Sequence, residues 1–95
     1  MHFVVWCIDR PGAADVRQAA RAAHRDWLDK YKGTVKLGGP LLGLDNVTSI
    51  GSLMIVDAPD EAAAKRIYAE EPYAVAGVFQ SVTLLPFRWV VDPPA

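Results

Sequence analysis

The sequence holds one cysteine, Cys7, and two histidines, His2 and His24. No internal disulfide can form, and no Cys/His cluster has the spacing that a metal ion needs, so no metal site is expected. No apolar run approaches the roughly 20 residues that cross a bilayer, and Met1-His-Phe-Val-Val5 lacks the regions of a secretory leader. A cytoplasmic protein without membrane contact is the expectation. Charge of one sign is missing too: 10 Lys and Arg stand against 11 Asp and Glu, for a net charge of −1. The basic residues are scattered, which leaves no footprint for nucleic acid or anionic lipid. The glycines around Gly38 have no Gly-Lys-Ser/Thr continuation, and no Gly-x-Ser-x-Gly elbow surrounds Ser52. A phosphate loop is thereby excluded, and a serine nucleophile is left without support. Internal repeats, low-complexity tracts and linkers are also absent.

What is present is a chain of 95 residues, 52% apolar and 22% charged, outside the regime of intrinsic disorder. Residues 1–95 are too few for two cores, so one domain is expected, with a loose tail over 92–95. His2 to Ile8 is dense in β-branched and aromatic residues and ends at a turn cluster, Asp9-Arg-Pro-Gly12, as a first strand should. From Ala13 to Lys32 the spacing predicts a helix whose apolar stripe is Val16, Ala20, Ala23, Trp27 and Tyr31, stopped by Gly33. Thr34 to Leu42 reads as a second strand with a bulge or bend at Gly38-Gly39-Pro40, and Ser49 to Val56 as a third. Asp57-Ala-Pro-Asp60 opens a second helix, Glu61 to Glu70, which must stop before Pro72. Val78 to Val91 supplies the last strand, with Pro86 implying an edge position or a bulge.

The order β-α-β-β-α-β is that of an α+β, ferredoxin-like fold with an antiparallel sheet and both helices on one face. Phe3, Val5 and Cys7 lie on one side of the first strand and Val4, Trp6 and Ile8 on the other. Both faces are apolar. Since the helices cover only one, a homodimer joined through the open sheet face is expected.

His24 is the first candidate for chemistry. It sits on the shoulder of the first helix's stripe, with Arg17 almost directly above it two turns back, and it can act as a general acid or base near neutral pH. A packed structural histidine is the alternative. Glu70 and Glu71 stand where the second helix ends, a position where negative charge is unfavourable unless something positive faces it. Either they are simply solvated, or Glu71 reaches the first helix, accepts a proton from the imidazole and holds one tautomer. Arg21, one turn before His24, can orient an anionic substrate. Ser52 follows a glycine, Gly51, unusual in a strand and a place where backbone can approach a ligand closely, and it can donate a hydrogen bond. Tyr73 and Trp27 can wall an aromatic-sized pocket, although core packing is their commoner fate. Cys7 reads as a small buried hydrophobe.

Arg21-x-x-His24 with Trp27-Leu28, Gly39-Pro40-Leu41, Gly51-Ser52, Glu71-Pro72-Tyr73, Ala76-Gly77-Val78-Phe79 and Pro86-Phe87 together resemble the YCII-related proteins over nearly the whole chain. The resemblance implies a ferredoxin-like subunit whose dimers close their sheets into an α+β barrel, and a pocket with a catalytic histidine–aspartate pair. By position the histidine is His24, while the acid of the Asp-Pro-Tyr/Phe motif is Glu71 here, longer by one methylene. The expected function is a small cofactor-independent enzyme that moves a proton in an elimination, isomerisation or dehalogenation of a small cyclic or aromatic compound. A non-enzymatic homodimeric ligand-binding or accessory module is the alternative, and a monooxygenase of the antibiotic-biosynthesis type is a third, resting on architecture alone.

Overall fold

The computed structural model describes residues 1–92, so the tail expected over 92–95 lies outside the described residues except for Asp92. In chain order the elements are β1 (His2–Asp9), α1 (Ala14–Lys30), β2 (Val35–Leu42), β3 (Ser49–Asp57), α2 (Glu61–Ala69), α3 (Pro72–Val75) and β4 (Phe79–Phe87). The strands form one antiparallel sheet in the order β2-β3-β1-β4. This is the expected α+β, ferredoxin-like arrangement, with α3 as a one-turn addition after α2.

β1, the strand richest in β-branched and aromatic residues, pairs on both sides, with β3 and with β4. The two prolines of the sheet, Pro40 and Pro86, fall in the outer strands β2 and β4, where a missing N–H breaks no interior ladder. In β2 the register shifts flank the Gly38-Gly39-Pro40 segment, at Val35/Leu37 and at Leu41/Leu42, while the segment itself stays paired with β3. β4 stops at Phe87 rather than running on to Val91. Its partner β1 begins at His2, which pairs with Phe87, so nothing is left to pair with the residues beyond.

Phe3, Val5 and Cys7 of β1 join Met54 and Val56 of β3 beneath the helices, together with Trp27 of α1 and Ala63, Ala64 and Tyr68 of α2. Asp60 caps α2 by accepting a hydrogen bond from Ala63 N at 2.8 Å. On the opposite face, Val4 is flanked by Ile55 and Leu85, and Trp6 by Leu53 and Thr83. No described helix covers that side. Ile8 and Leu85 are 38% and 49% exposed there, as an uncovered apolar face requires.

α1 is rotated from the stripe expected of it. Val16 and Ala23 are exposed, and Arg17, Ala20, His24, Trp27, Leu28 and Tyr31 turn inward. Apolar periodicity alone misses this because two polar side chains on the shoulder find partners elsewhere in the chain, Asp9 for Arg17 and Glu71 for His24. Their burial is thereby compensated, and the bulky Trp27 fixes the helix facing the core. Glu70 is not merely solvated either. It accepts from Tyr31 Oη, and from Lys30 Nζ at 3.1 Å, tying the end of α2 to the end of α1. These two donors hold its carboxyl below the usual range.

Candidate active site

Pro72 disfavours helical geometry at the preceding residue, and Glu71 is accordingly extended, at φ −63° and ψ 123°. The chain therefore leaves α2 and starts again as α3. Glu71 caps that turn, its Oε1 accepting from Tyr73 N at 3.2 Å and its Oε2 from Ala74 N at 3.3 Å. The same Oε1 lies 2.5 Å from Nδ1 of His24. The carboxylate is fully buried, at 0% exposure, while His24 keeps 14% of its side chain accessible. A buried carboxylate is tolerable here because each of its oxygens is hydrogen-bonded. With Nδ1–H donating to Glu71, the free lone pair of the neutral ring sits on Nε2, which makes no hydrogen bond among the described residues.

Aromatic stacking sets the plane of the imidazole. Tyr73 lies against it with ring centroids 4.2 Å apart and planes 15° apart, and Trp27 follows on the core side at 6.2 Å. The Arg17 guanidinium covers the outer part of Tyr73, 4.4 Å from its centroid. Arg17 is itself held by Asp9, with contacts of 2.9 and 3.0 Å to the two carboxylate oxygens, and donates to Gly51 O at 3.3 Å. Burial pushes the Asp9 carboxyl up, against the pull of Arg17. β1, α1, α3 and β3 thus converge on one stack that leaves His24 little freedom to tilt.

His24 opens onto a cavity of about 590 Å³ between α1 and the β2–β3 half of the sheet. That is the scale of a small-molecule site. Leu28, Val35, Met54 and Tyr73 form its apolar wall, and Arg21 stands on its rim. Trp27 does not border the cavity: at 5% exposure it belongs to the core behind His24, where Tyr31 and Tyr68 pack around it. Ser52 does border it, but its Oγ is closed off and makes no hydrogen bond of normal geometry. It faces the interior pair of Cys7 Sγ and Tyr68 Oη, 3.0 Å apart, close enough to lower the pKa of both slightly. Burial dominates and pushes the Cys7 thiol up to about 11. The neighbouring Gly51 was expected to let a ligand approach the backbone. What approaches instead is the carbonyl of Cys7, which a Cβ at this position would meet at 2.1 Å.

The structure therefore brings His24, Glu71, Arg21 and Tyr73 together and leaves Trp27 and the Ser52 hydroxyl behind the wall. Sequence reasoning missed Asp9, placed in a turn, and gave Arg17 no role. The hint for Arg17 was its position two turns above His24 on the same helical face. Among the described residues no group of three or more His, Cys, Asp or Glu side chains is arranged to hold a metal ion, and no helix is long and apolar enough to cross a membrane.

Fold and cavity together define a ferredoxin-like subunit of the dimeric α+β barrel type, with a cavity of small-molecule size between α1 and the sheet. Within that class the YCII-related domain matches residues 1–88, and the chain belongs to the YCII-related family. An uncharacterized protein of Haemophilus influenzae is 30% identical over 97 residues, spanning 95% of this chain and 99% of that one. Among solved structures, the 5-chloro-2-hydroxyhydroquinone dehydrochlorinase TftG of Burkholderia phenoliruptrix AC1100, in complex with 2,5-dihydroxybenzoquinone, superposes with a TM-score of 0.83. It is 28% identical, over 93% of this chain and 94% of its own. SnoaB, a cofactor-independent oxygenase of Streptomyces nogalater, shares only the fold, with 16% identity and a TM-score of 0.56 over 97% of this chain and 96% of its own.

Proposed function

We propose that the protein is a cofactor-independent enzyme that abstracts a proton from a small cyclic or aromatic compound, with His24 as the base and Glu71 as the group that orients it. The observation that carries this reading is the 2.5 Å contact between a fully buried carboxylate and an imidazole that opens onto a cavity. A carboxylate locked at Nδ1 fixes the tautomer, so Nε2 accepts the proton without a competing orientation of the ring. In a dehydrochlorination, the electron pair of the broken C–H bond becomes the new double bond, and chloride leaves with the electrons of the C–Cl bond. Tyr73 and the apolar wall give the substrate ring a surface to lie against beside the base. The likeness to TftG favours elimination over the oxygenase reading, which rests on fold alone.

The test begins with 5-chloro-2-hydroxyhydroquinone, the compound in that relative's name, and reads chloride release together with exchange of ring hydrogen for deuterium in D2O. Wild-type protein is expected to catalyse at least one of these. His24→Ala is expected to abolish it, and Glu71→Gln to slow it by about 10²-fold or more. If the parent protein catalyses neither with this compound or with a panel of hydroxylated quinones, although such compounds bind, the ligand-binding module becomes the correct reading.

A further inference from the structure

The charges around the cavity are one-sided. Arg17, Arg21, Arg25 and Lys36 all border it, and no Asp or Glu does. Arg17 is committed to Asp9. Arg21, Arg25 and Lys36 have no ion-pair partner among the described residues, although Asp26 and Asp29 stand on the same helix as the two arginines. Arg21 and Arg25 are one turn apart on α1, a like-charge spacing that weakens an isolated helix. Lys36 reaches the site from β2, where the register shift between Val35 and Leu37 takes it out of the regular alternation. Two elements thus direct cations at one opening, above a wall of Leu28, Val35, Met54 and the Tyr73 ring, with Asp57 near enough to feel the charge of Lys36 but not paired with it.

Resting on the cavity proposed above as the active site, we infer that its ligand is a ring compound bearing an oxyanion, a carboxylate or an ionised phenol. The ring lies against Met54 and Tyr73 and the anion points to the rim formed by Arg21, Arg25 and Lys36. An apolar ring with a charged end matches an apolar wall with a cationic mouth, and guanidinium groups suit planar oxyanions because they donate in a fork. The buried carboxylate of Glu71 does not oppose the anion, because it lies behind His24 and is engaged by that ring and by the backbone of α3. The rim charges select and orient the ligand, whereas His24 and Glu71 act on its proton.

The experiment is a binding titration by two-dimensional NMR with two probes of nearly equal shape, salicylate and its neutral amide, salicylamide. Salicylate is expected to shift signals of α1, Met54 and Tyr73 saturably and to bind about tenfold or more tightly than salicylamide. Raising salt from about 20 to about 200 mM should weaken salicylate several-fold and leave salicylamide unchanged. The combined variant Arg21→Gln, Arg25→Gln and Lys36→Gln, all at exposed positions, should keep the wild-type spectrum elsewhere while bringing the two probes to equal affinity. Equal affinity of the probes for the parent protein, no binding of salicylate at millimolar concentration, or salt-independent salicylate binding would overturn the inference. Because binding is read without turnover, charge-selective binding with no His24-dependent exchange removes the proton-transfer reading alone. Exchange accompanied by charge-blind binding removes only this one.

Discussion

Glu71 serves two ends with one carboxylate. Its carboxylate caps α3 through Tyr73 N and Ala74 N while still meeting His24 across 47 positions of chain. The helix-end position was legible in the sequence, because Pro72 dictates where α2 must stop. Its partner was legible only as a possibility, since nothing local tells which way the exit points. Cys7 is the other residue whose environment carries a consequence. Its thiol, ordinarily at 9.0, is pushed to about 11 by burial, and burial also raises the Tyr68 hydroxyl beside it. A group whose pKa is higher folded than unfolded leaves stability intact below its unfolded value and takes stability away as pH rises through the folded one. Unfolding free energy is thus expected to hold up to about pH 9 and to fall by about 2 kcal/mol for Cys7 alone by about pH 11, as urea titrations at pH 8 to 11 would show. Cys7→Ala should flatten part of that slope, and in the native parent protein near neutral pH the thiol should resist alkylation.

Among the elements, the pairing of β1 with β3 has the least tolerance. Ile8 of β1 lies opposite Gly51, just before the register shift at Ile8/Asp9 in the pairing of β1 with β4. There the strands approach so closely that a Cβ on Gly51 would sit 2.1 Å from Cys7 O. The obstacle is backbone, which cannot swing aside as a side chain can. Gly51→Ala is expected to destabilise the fold by at least about 3 kcal/mol, read as a lowered midpoint in chemical denaturation, and to disturb the neighbouring Arg17 contact with Gly51 O. A Tm and a denaturation curve equal to those of the parent would contradict this placement of the two strands. The sequence marked Gly51-Ser52 as unusual in a strand but not what the glycine makes room for. A close approach by another strand and a close approach by a ligand leave the same mark on a single chain.

At the scale of the whole molecule the outstanding feature is the uncovered face of the sheet. Val4, Trp6 and Ile8 lie there with Leu53, Ile55 and Leu85, and Leu85 is half exposed. Stable interfaces bury about 800 Å² per partner, which an apolar face of this kind can supply. A second copy of the chain set against this face is the proposed cover, closing two sheets into one barrel. Sedimentation at micromolar concentration should give the dimer mass for the parent protein and the monomer mass for the double variant Ile8→Glu, Leu85→Glu. A monomeric parent would mean that the face is covered by something else.

Local pattern alone determined the order of the strands and the two longer helices, the apolar character of both sheet faces, the place of His24 on a helix shoulder and the stop before Pro72. Each of these depends on neighbours within a few residues, through side-chain period and the φ restrictions of proline. Only the tertiary structure decided the rotation of α1, because that rotation balances buried polar groups against partners far along the chain, Asp9 for Arg17 and Glu71 for His24. The same rotation stacks Tyr73 on His24 and turns Arg21 and Arg25 toward the cavity, while Trp27 stays in the core as its place on the apolar stripe predicts. Periodicity counts apolar positions, whereas the facing of this helix is settled by where its polar ones are satisfied.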